Sequence, residues 1–272
     1  MTDLRLNNGQ QIPPIGFGTW QILLNRKTKA SVLHALDAGY RLIDTATVYG
    51  NEKGVGQAIH QSGIVRNEIF VTTKLWNGDQ GYDTAIDAFD VSLTRLGLDY
   101  IDLYLIHWPV TGKRMESWRA LEDIYKVGRA KAIGVSNYTI SHLEELLSGS
   151  ETVPAVNQIE FHPYLYEEQL PVVEFCKQYG IIIEAYSPLA HAAKMDEPVI
   201  QDIAHETDKT YAQVMLRWSL QHGTIPIPKS GNPQRIRENL DIFDFELSAT
   251  QMKRINRLSN GMRTCWDPGQ MR

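Results

Sequence analysis

Eight short apolar runs, near residues 15–18, 40–44, 69–74, 101–107, 131–135, 155–159, 181–185 and 225–227, alternate along this chain with stretches whose apolar residues recur at helical spacing. Several runs are continuously apolar, as in Gly180-Ile-Ile-Ile, which suits strands covered on both faces in a parallel sheet. The stretches between them follow the other period. In 84–96, Ile86, Phe89, Val91, Leu93 and Leu96 supply a candidate core face, and 116–127, 142–147 and 168–179 also read as helices. Gly39, Gly128 and Gly180 stand where helices give way to strands. Strand then helix, eight times over, predicts an α/β fold of the (β/α)₈ TIM-barrel type. Asn7-Asn-Gly-Gln, between Leu4-Arg-Leu and Gln11-Ile, predicts an N-terminal β-hairpin ahead of it. The connection between the last two strands has room for an extra helix (199–205, before 212–221), and 248–258 reads as a C-terminal helix beyond the barrel. No linker or low-complexity segment interrupts the 272 residues, so one domain over 1–272 is expected.

Composition narrows the partners. With 43% hydrophobic residues the chain can fill a large core, and a net charge of −5 without a basic stripe argues against nucleic acid. The apolar stretches are far too short to span a bilayer, and the polar start carries no signal-peptide core. Cys176 and Cys265 cannot make a disulfide framework, which fits a cytoplasmic location. Nothing in the sequence calls for a partner subunit, so a monomer acting on a small molecule is expected.

The carboxyl ends of barrel strands open on one face, and that face carries the chemistry. Arg41-Leu-Ile ends in Asp44, Ile69-Phe-Val-Thr-Thr in Lys74, and Tyr104-Leu-Ile in His107. Three consecutive strands would therefore bring an acid, an amine and an imidazole together, with Tyr49 on the loop after Asp44. A phenol with a free pKa near ~10 is a poor acid at neutral pH, and a neighbouring ammonium lowers that pKa. Lys74, held charged by Asp44, is thus expected to lower the pKa of Tyr49 and let it deliver a proton to an oxygen that gains charge, while His107 orients the carbonyl.

These residues lie within longer motifs. Gly39-Tyr-Arg-Leu-Ile-Asp-Thr-Ala-Thr-Val-Tyr-Gly-Asn-Glu-Lys-Gly-Val-Gly, Lys131-Ala-Ile-Gly-Val-Ser-Asn-Tyr, and Ile227-Pro-Lys-Ser with Arg235, Glu238 and Asn239 resemble the three signatures of the aldo-keto reductase family. The resemblance runs from Gly16-Phe-Gly-Thr-Trp to Leu247-Ser, and is nearest to small bacterial reductases of glyoxals, diketogluconate and simple aldehydes. It implies a catalytic tetrad of Asp44, Tyr49, Lys74 and His107 and reduction of a carbonyl to an alcohol, with hydride from nicotinamide C4 and Tyr49 as general acid.

No G-x-G-x-x-G follows a strand; Gly16-Phe-Gly-Thr and Gly54-Val-Gly-Gln do not complete one, so a Rossmann site is not supported. Ser136, Asn137 and Gln158, at the ends of strands five and six, are of the kind that hydrogen-bonds a carboxamide, and Tyr186 offers a face for stacking on nicotinamide; the resemblance implies the same roles. Asn232 and Pro233 predict a helix start suited to phosphate, with Arg235 as a planar cation beside it. The resemblance further implies that Lys229, Ser230 and Arg235 hold the 2′-phosphate of NADPH, favoured over NADH, that Glu238 and Asn239 meet the adenine, and that Ser187 and Leu189 touch the pyrophosphate. Trp20, Trp76 and Trp108, at the ends of strands one, three and four, would form an apolar collar for substrate together with Tyr49 and His107. Trp118 and Trp218 read instead as helix–barrel packing.

The loop at 109–114 and the tail at 261–272 are short, which suggests an open site for small reactive carbonyls rather than steroids or prostaglandins, although Trp266 could fold back over the mouth. Two rivals stand beside this reading. A Schiff-base role for Lys74 is opposed by its pairing with Asp44, and a cofactor-sensing subunit is opposed by the intact tetrad. No metal is expected, because strand one carries no ligand and no His-x-His pair is present.

Overall fold

A computed structural model of the chain describes residues 3–270. The predicted hairpin is β1 (Leu4–Arg5) and β2 (Gln11–Ile12), antiparallel. The barrel strands are β3 (Gly16–Gly18), β4 (Leu42–Asp44), β5 (Phe70–Leu75), β6 (Ile101–Ile106), β7 (Ala130–Ser136), β8 (Val156–Glu160), β9 (Ile182–Tyr186) and β10 (Ile225–Pro226). They pair in parallel in sequence order. Helices alternate with them: α1 (Asn25–Ala38), α2 (Glu52–Ser62), α3 (Tyr82–Leu96), α4 (Arg114–Lys126), α5 (Ile140–Gly149) and α6 (Tyr166–Gln178). The last connection holds two helices, α7 (Pro198–Thr207) and α8 (Tyr211–Gln221), as the sequence predicts, and α9 (Pro233–Leu240) and α10 (Ala249–Asn256) follow the final strand. The four terminal residues of the expected 1–272 domain lie outside the described residues. Among those described, no helix is long and apolar enough to cross a membrane.

The two end strands of the sheet meet where the Gly18 amide donates to the Pro228 carbonyl at 3.0 Å. That approach needs glycine, since a Cβ on Gly18 would stand 2.9 Å from the Ile227 carbonyl oxygen. Strand periodicity then sorts the side chains. Leu42, Phe70, Leu103, Ala132, Val156 and Ile225 pack inside the barrel. Ile43, Val71, Tyr104, Ile133 and Ile183 point outward into the layer beneath the helices, where Trp118 and Trp218 are fully buried. The hairpin plugs the amino end: Leu6 and Ile12 join the inner cluster, while the Asn7 and Asn8 amides donate to the Pro154 and Lys131 carbonyls.

One detail departs from the sequence reading. Val91, placed on the core face of α3, is 43% exposed; Ala85 and Ala88 take that face beside Phe89, Leu93 and Leu96. Gly54-Val-Gly, which does not complete a phosphate-loop pattern, is where α2 meets its neighbours. A Cβ on Gly56 would fall 1.9 Å from the Leu96 carbonyl oxygen, and one on Gly54 2.6 Å from that of Asn25.

Candidate active site

Because side chains alternate along a strand, Asp44, Lys74 and His107 all point inward above the apolar plug. Lys74 is fully buried, and its Nζ donates to Asp44 Oδ1 and Oδ2 at 2.8 and 2.7 Å and to the Thr45 carbonyl at 2.9 Å. The Tyr49 hydroxyl lies 3.5 Å from the same nitrogen. Tyr49 ends a single 3₁₀ turn, Thr47–Tyr49, which Gly50 closes at φ 65°. Buried and half-buried side chains fix that loop. Thr45 Oγ1 donates to Asn51 Oδ1, the Asn51 amide donates to the Thr19 and Ile22 carbonyls, and Thr47 Oγ1 donates to the Lys74 carbonyl.

Electrostatics follow from this burial. Burial pushes the Lys74 ammonium toward neutrality, but Asp44 and then Tyr49 outweigh it, so its pKa stays above the ordinary lysine value. For Tyr49 the balance runs against the sequence expectation. Lys74 does pull the phenol down, yet burial is larger and drives it up to about 12. Tyr49 is therefore a protonated phenol at neutral pH, held beside a cation. His107 is buried, with its Nδ1 lacking a hydrogen-bond partner. Burial, then the Lys74 charge, holds it well below the ordinary histidine range, so it is neutral and can donate one N–H. The Tyr49 and Trp76 rings stand edge-on to it at 5.8 and 5.3 Å.

The remaining predicted residues surround one cavity of about 1180 Å³. Its wall includes Asp44, Tyr49 and His107, the indoles of Trp20, Trp76 and Trp108, and all eleven candidate cofactor residues: Ser136, Asn137, Gln158, Tyr186, Ser187, Leu189, Lys229, Ser230, Arg235, Glu238 and Asn239. Lys74 sits behind this wall. Trp266 folds back, as the sequence allowed, and packs on Trp108 with ring centroids 5.5 Å apart.

The floor is a hydrogen-bonded lattice. Asn137 spends its amide hydrogens on the His107 carbonyl and Ser136 Oγ, and its Oδ1 accepts from the Tyr186 hydroxyl at 2.8 Å. Gln158 Nε2 donates to both Asp44 Oδ2 and Glu184 Oε2, at 2.8 and 2.7 Å. With both hydrogens committed, Gln158 has only its carbonyl oxygen for the cavity. Asn137 and Ser187 hold positive φ, 64° and 48°, and Ala190–Ala192 follow at 46–59°. Non-glycine residues in that region cost on the order of 1–3 kcal/mol each and cluster at functional sites.

At the far end, Asn232 caps α9 as predicted, but its Oδ1 accepts from the Gln234 and Arg235 amides. The helix start is thus already satisfied by its own cap, and anion capacity there falls to the side chains. Lys229 and Arg235 are both exposed at the cavity edge and, among the described residues, in no ion pair, whereas Arg237 pairs with Asp37 at 3.5 Å. A cavity with a polar floor, an aromatic wall and, among the described residues, two cations outside any ion pair fits a phosphorylated dinucleotide.

Sequence reasoning missed Asn51, Glu184 and Glu160. Glu184 is fully buried one strand over from Gln158, whose amide links it to Asp44, with its carboxyl pushed up to about 7 by burial and then by the Asp44 charge. Its signal was a single acid inside the apolar run 181–185.

Comparisons with known proteins agree with this geometry. A family model described as the aldo/keto reductase family matches residues 14–260. The glyoxal reductase of Bacillus subtilis is 49% identical over 268 residues, covering 98% of this chain and 96% of its own. An aldo/keto reductase from Brucella melitensis superposes with a TM-score of 0.91 at 48% identity, over 95% of this chain and 99% of that one. A Bombyx mori aldo-keto reductase, solved in complex with NADP, gives 0.92 at 37% identity over 96% and 94%.

Proposed function

Since the chain belongs to the aldo/keto reductase family, we propose that it reduces small aldehydes, ketones and dicarbonyls, methylglyoxal and diketogluconate among them, to alcohols with NADPH. The bound dinucleotide supplies hydride from nicotinamide C4 to the carbonyl carbon. Tyr49 gives its phenolic proton to the carbonyl oxygen as charge develops there, and the Lys74 ammonium stabilises the phenolate left behind. Asp44 keeps Lys74 charged and fixed. His107, neutral, donates its one N–H to the carbonyl oxygen and aims the carbon. Ser136, Asn137 and Gln158 would hold the carboxamide, Gln158 as an acceptor, and Tyr186 would offer its face to the nicotinamide. Ser187 and Leu189 would border the pyrophosphate, Lys229, Ser230 and Arg235 would hold the 2′-phosphate, and Glu238 and Asn239 would meet the adenine. Trp20, Trp76 and Trp108 shed water from the substrate. The chain works as one monomeric domain in the cytoplasm.

The observation that carries this reading is the buried ammonium with a carboxylate on one side and a phenol on the other, opening onto a cavity of dinucleotide size. The test is loss of NADPH absorbance with methylglyoxal, run in parallel with NADH. Turnover favouring NADPH supports it. Tight NADPH binding with no turnover over a panel of small aldehydes and ketones overturns it in favour of a cofactor-sensing role.

A further inference from the structure

Glu160 closes β8 on its inward side and is almost wholly buried, yet the chemistry above does not use it. Its Oε1 accepts from the Thr264 amide and the Thr264 hydroxyl, both at 2.6 Å, and from His162 Nε2 at 3.0 Å. Burial alone would push this carboxyl up, but the hydrogen bonds from His162 and Thr264 outweigh it and hold the group below the usual carboxylate range. A buried anion therefore grips one residue of the C-terminal segment.

The grip is the segment's backbone anchor, beside side-chain hydrogen bonds of Cys265 with Ser187 and Tyr186 and the buried Pro268 ring. Over 261–270, Thr264 is the one described residue whose backbone bonds to the barrel. The other amide bonds stay local: Met262 to Asn260 Oδ1, and Gly269 and Gln270 to Asp267. Yet Arg263, Thr264, Cys265 and Trp266 all line the cavity. Trp266 remains 60% exposed and, among the described residues, has Trp108 as its one ring neighbour. An exposed indole on a short tail, packed on one other ring, keeps its place only if the chain beside it is fixed.

We propose that Glu160 is a positioning residue: through Thr264 it holds the 263–266 segment as a wall of the substrate cavity, and so sets how tightly larger carbonyls bind. The selectivity part rests on the carbonyl-reductase reading; the tether does not.

Two variants separate the parts. Glu160→Gln removes the anion, and Thr264→Val removes one of two donors from a partly exposed residue at nearly constant side-chain shape. Trypsin cleavage after Arg263, followed by mass spectrometry on the protein without cofactor, should accelerate tenfold or more in Glu160→Gln and several-fold in Thr264→Val, with other sites unchanged. With NADPH, both variants should raise KM for an aromatic aldehyde several-fold at constant kcat, by a larger factor than KM for methylglyoxal, and match Trp266→Ala. Unchanged cleavage after Arg263 in both variants overturns the tether, and a loosened tail with unchanged KM for the aromatic aldehyde overturns the selectivity role. If the native chain turns over no carbonyl, the functional reading falls, while the proteolysis still decides the tether.

Discussion

Asp44→Asn tests the centre of the site through stability, without reference to any substrate. Lys74 keeps its charge in a fully buried position because two carboxylate oxygens contact its ammonium at 2.7 and 2.8 Å. Asparagine turns one of those oxygens into a donor facing a donor and takes an acceptor from the lattice around Gln158. Removing one partner of a buried pair typically costs about 3–5 kcal/mol. At about 2–4 °C per kcal/mol for a chain somewhat shorter than this, the melting temperature should fall on the order of 10 °C. The pH dependence carries more information than the size. In the native chain Lys74 has a raised pKa, so its contribution is complete below the unfolded value of about 10.4 and is lost only as pH climbs through the folded value. In the variant, burial remains without the carboxylate, which depresses the pKa. Stability then rises from neutral pH toward ~10, and the gap to the native chain narrows. Glu184 modifies the result, because the Asp44 charge helps keep its carboxyl up at about 7. Without Asp44 it ionises more readily and substitutes in part as the countercharge. Asp44→Asn with Glu184→Gln should therefore lose more than the two changes added, by about 1 kcal/mol. Thermal and denaturant melts across pH measure all three quantities. A loss under ~1 kcal/mol, or a gap that stays constant as pH rises, would refute the assignment of Asp44 as the partner that keeps Lys74 charged.

Tyr49→Phe should lower the reduction rate by about 10²–10⁴-fold while NADPH binding, followed by fluorescence, stays native; near-normal turnover would remove Tyr49 as the acid. Arg235→Ala should weaken NADPH tenfold or more and NADH hardly at all, since its cation has no ion-pair partner among the described residues; equal losses would refute a 2′-phosphate role. Gly56→Ala should destabilise the fold by about 1–3 kcal/mol or more, because the new methyl carbon would stand 1.9 Å from the Leu96 carbonyl oxygen. A native-like melting temperature for that variant would mean that α2 and α3 can part more easily than their close packing indicates.

What the sequence discloses about this site divides along physical lines. Asp44, Lys74 and His107 are readable because each ends an apolar run, and the period of two that buries the run also fixes which way its last side chain points. Glu160 and Glu184 obey the same period, but an acid next to Ile159 or among Ile181, Ile182 and Ile183 carries no local mark of what it will face. Glu184 meets Gln158 only once β8 and β9 pair in register, and Glu160 meets Thr264 across 104 residues. Gly54 and Gly56 show the converse. The incomplete spacing already excludes a phosphate loop there, but that the lack of a Cβ serves two helices in contact is visible only from the neighbours. Tyr49 marks the boundary most sharply. Counting charges predicts a lowered phenol pKa beside Lys74, and that contribution is present, but the larger one comes from burial, which no spacing encodes. The readable part of the site is its list of charged groups; the weight of each charge depends on how much water the fold leaves around it, and Lys74, Tyr49, His107 and Glu184 are all governed by that quantity.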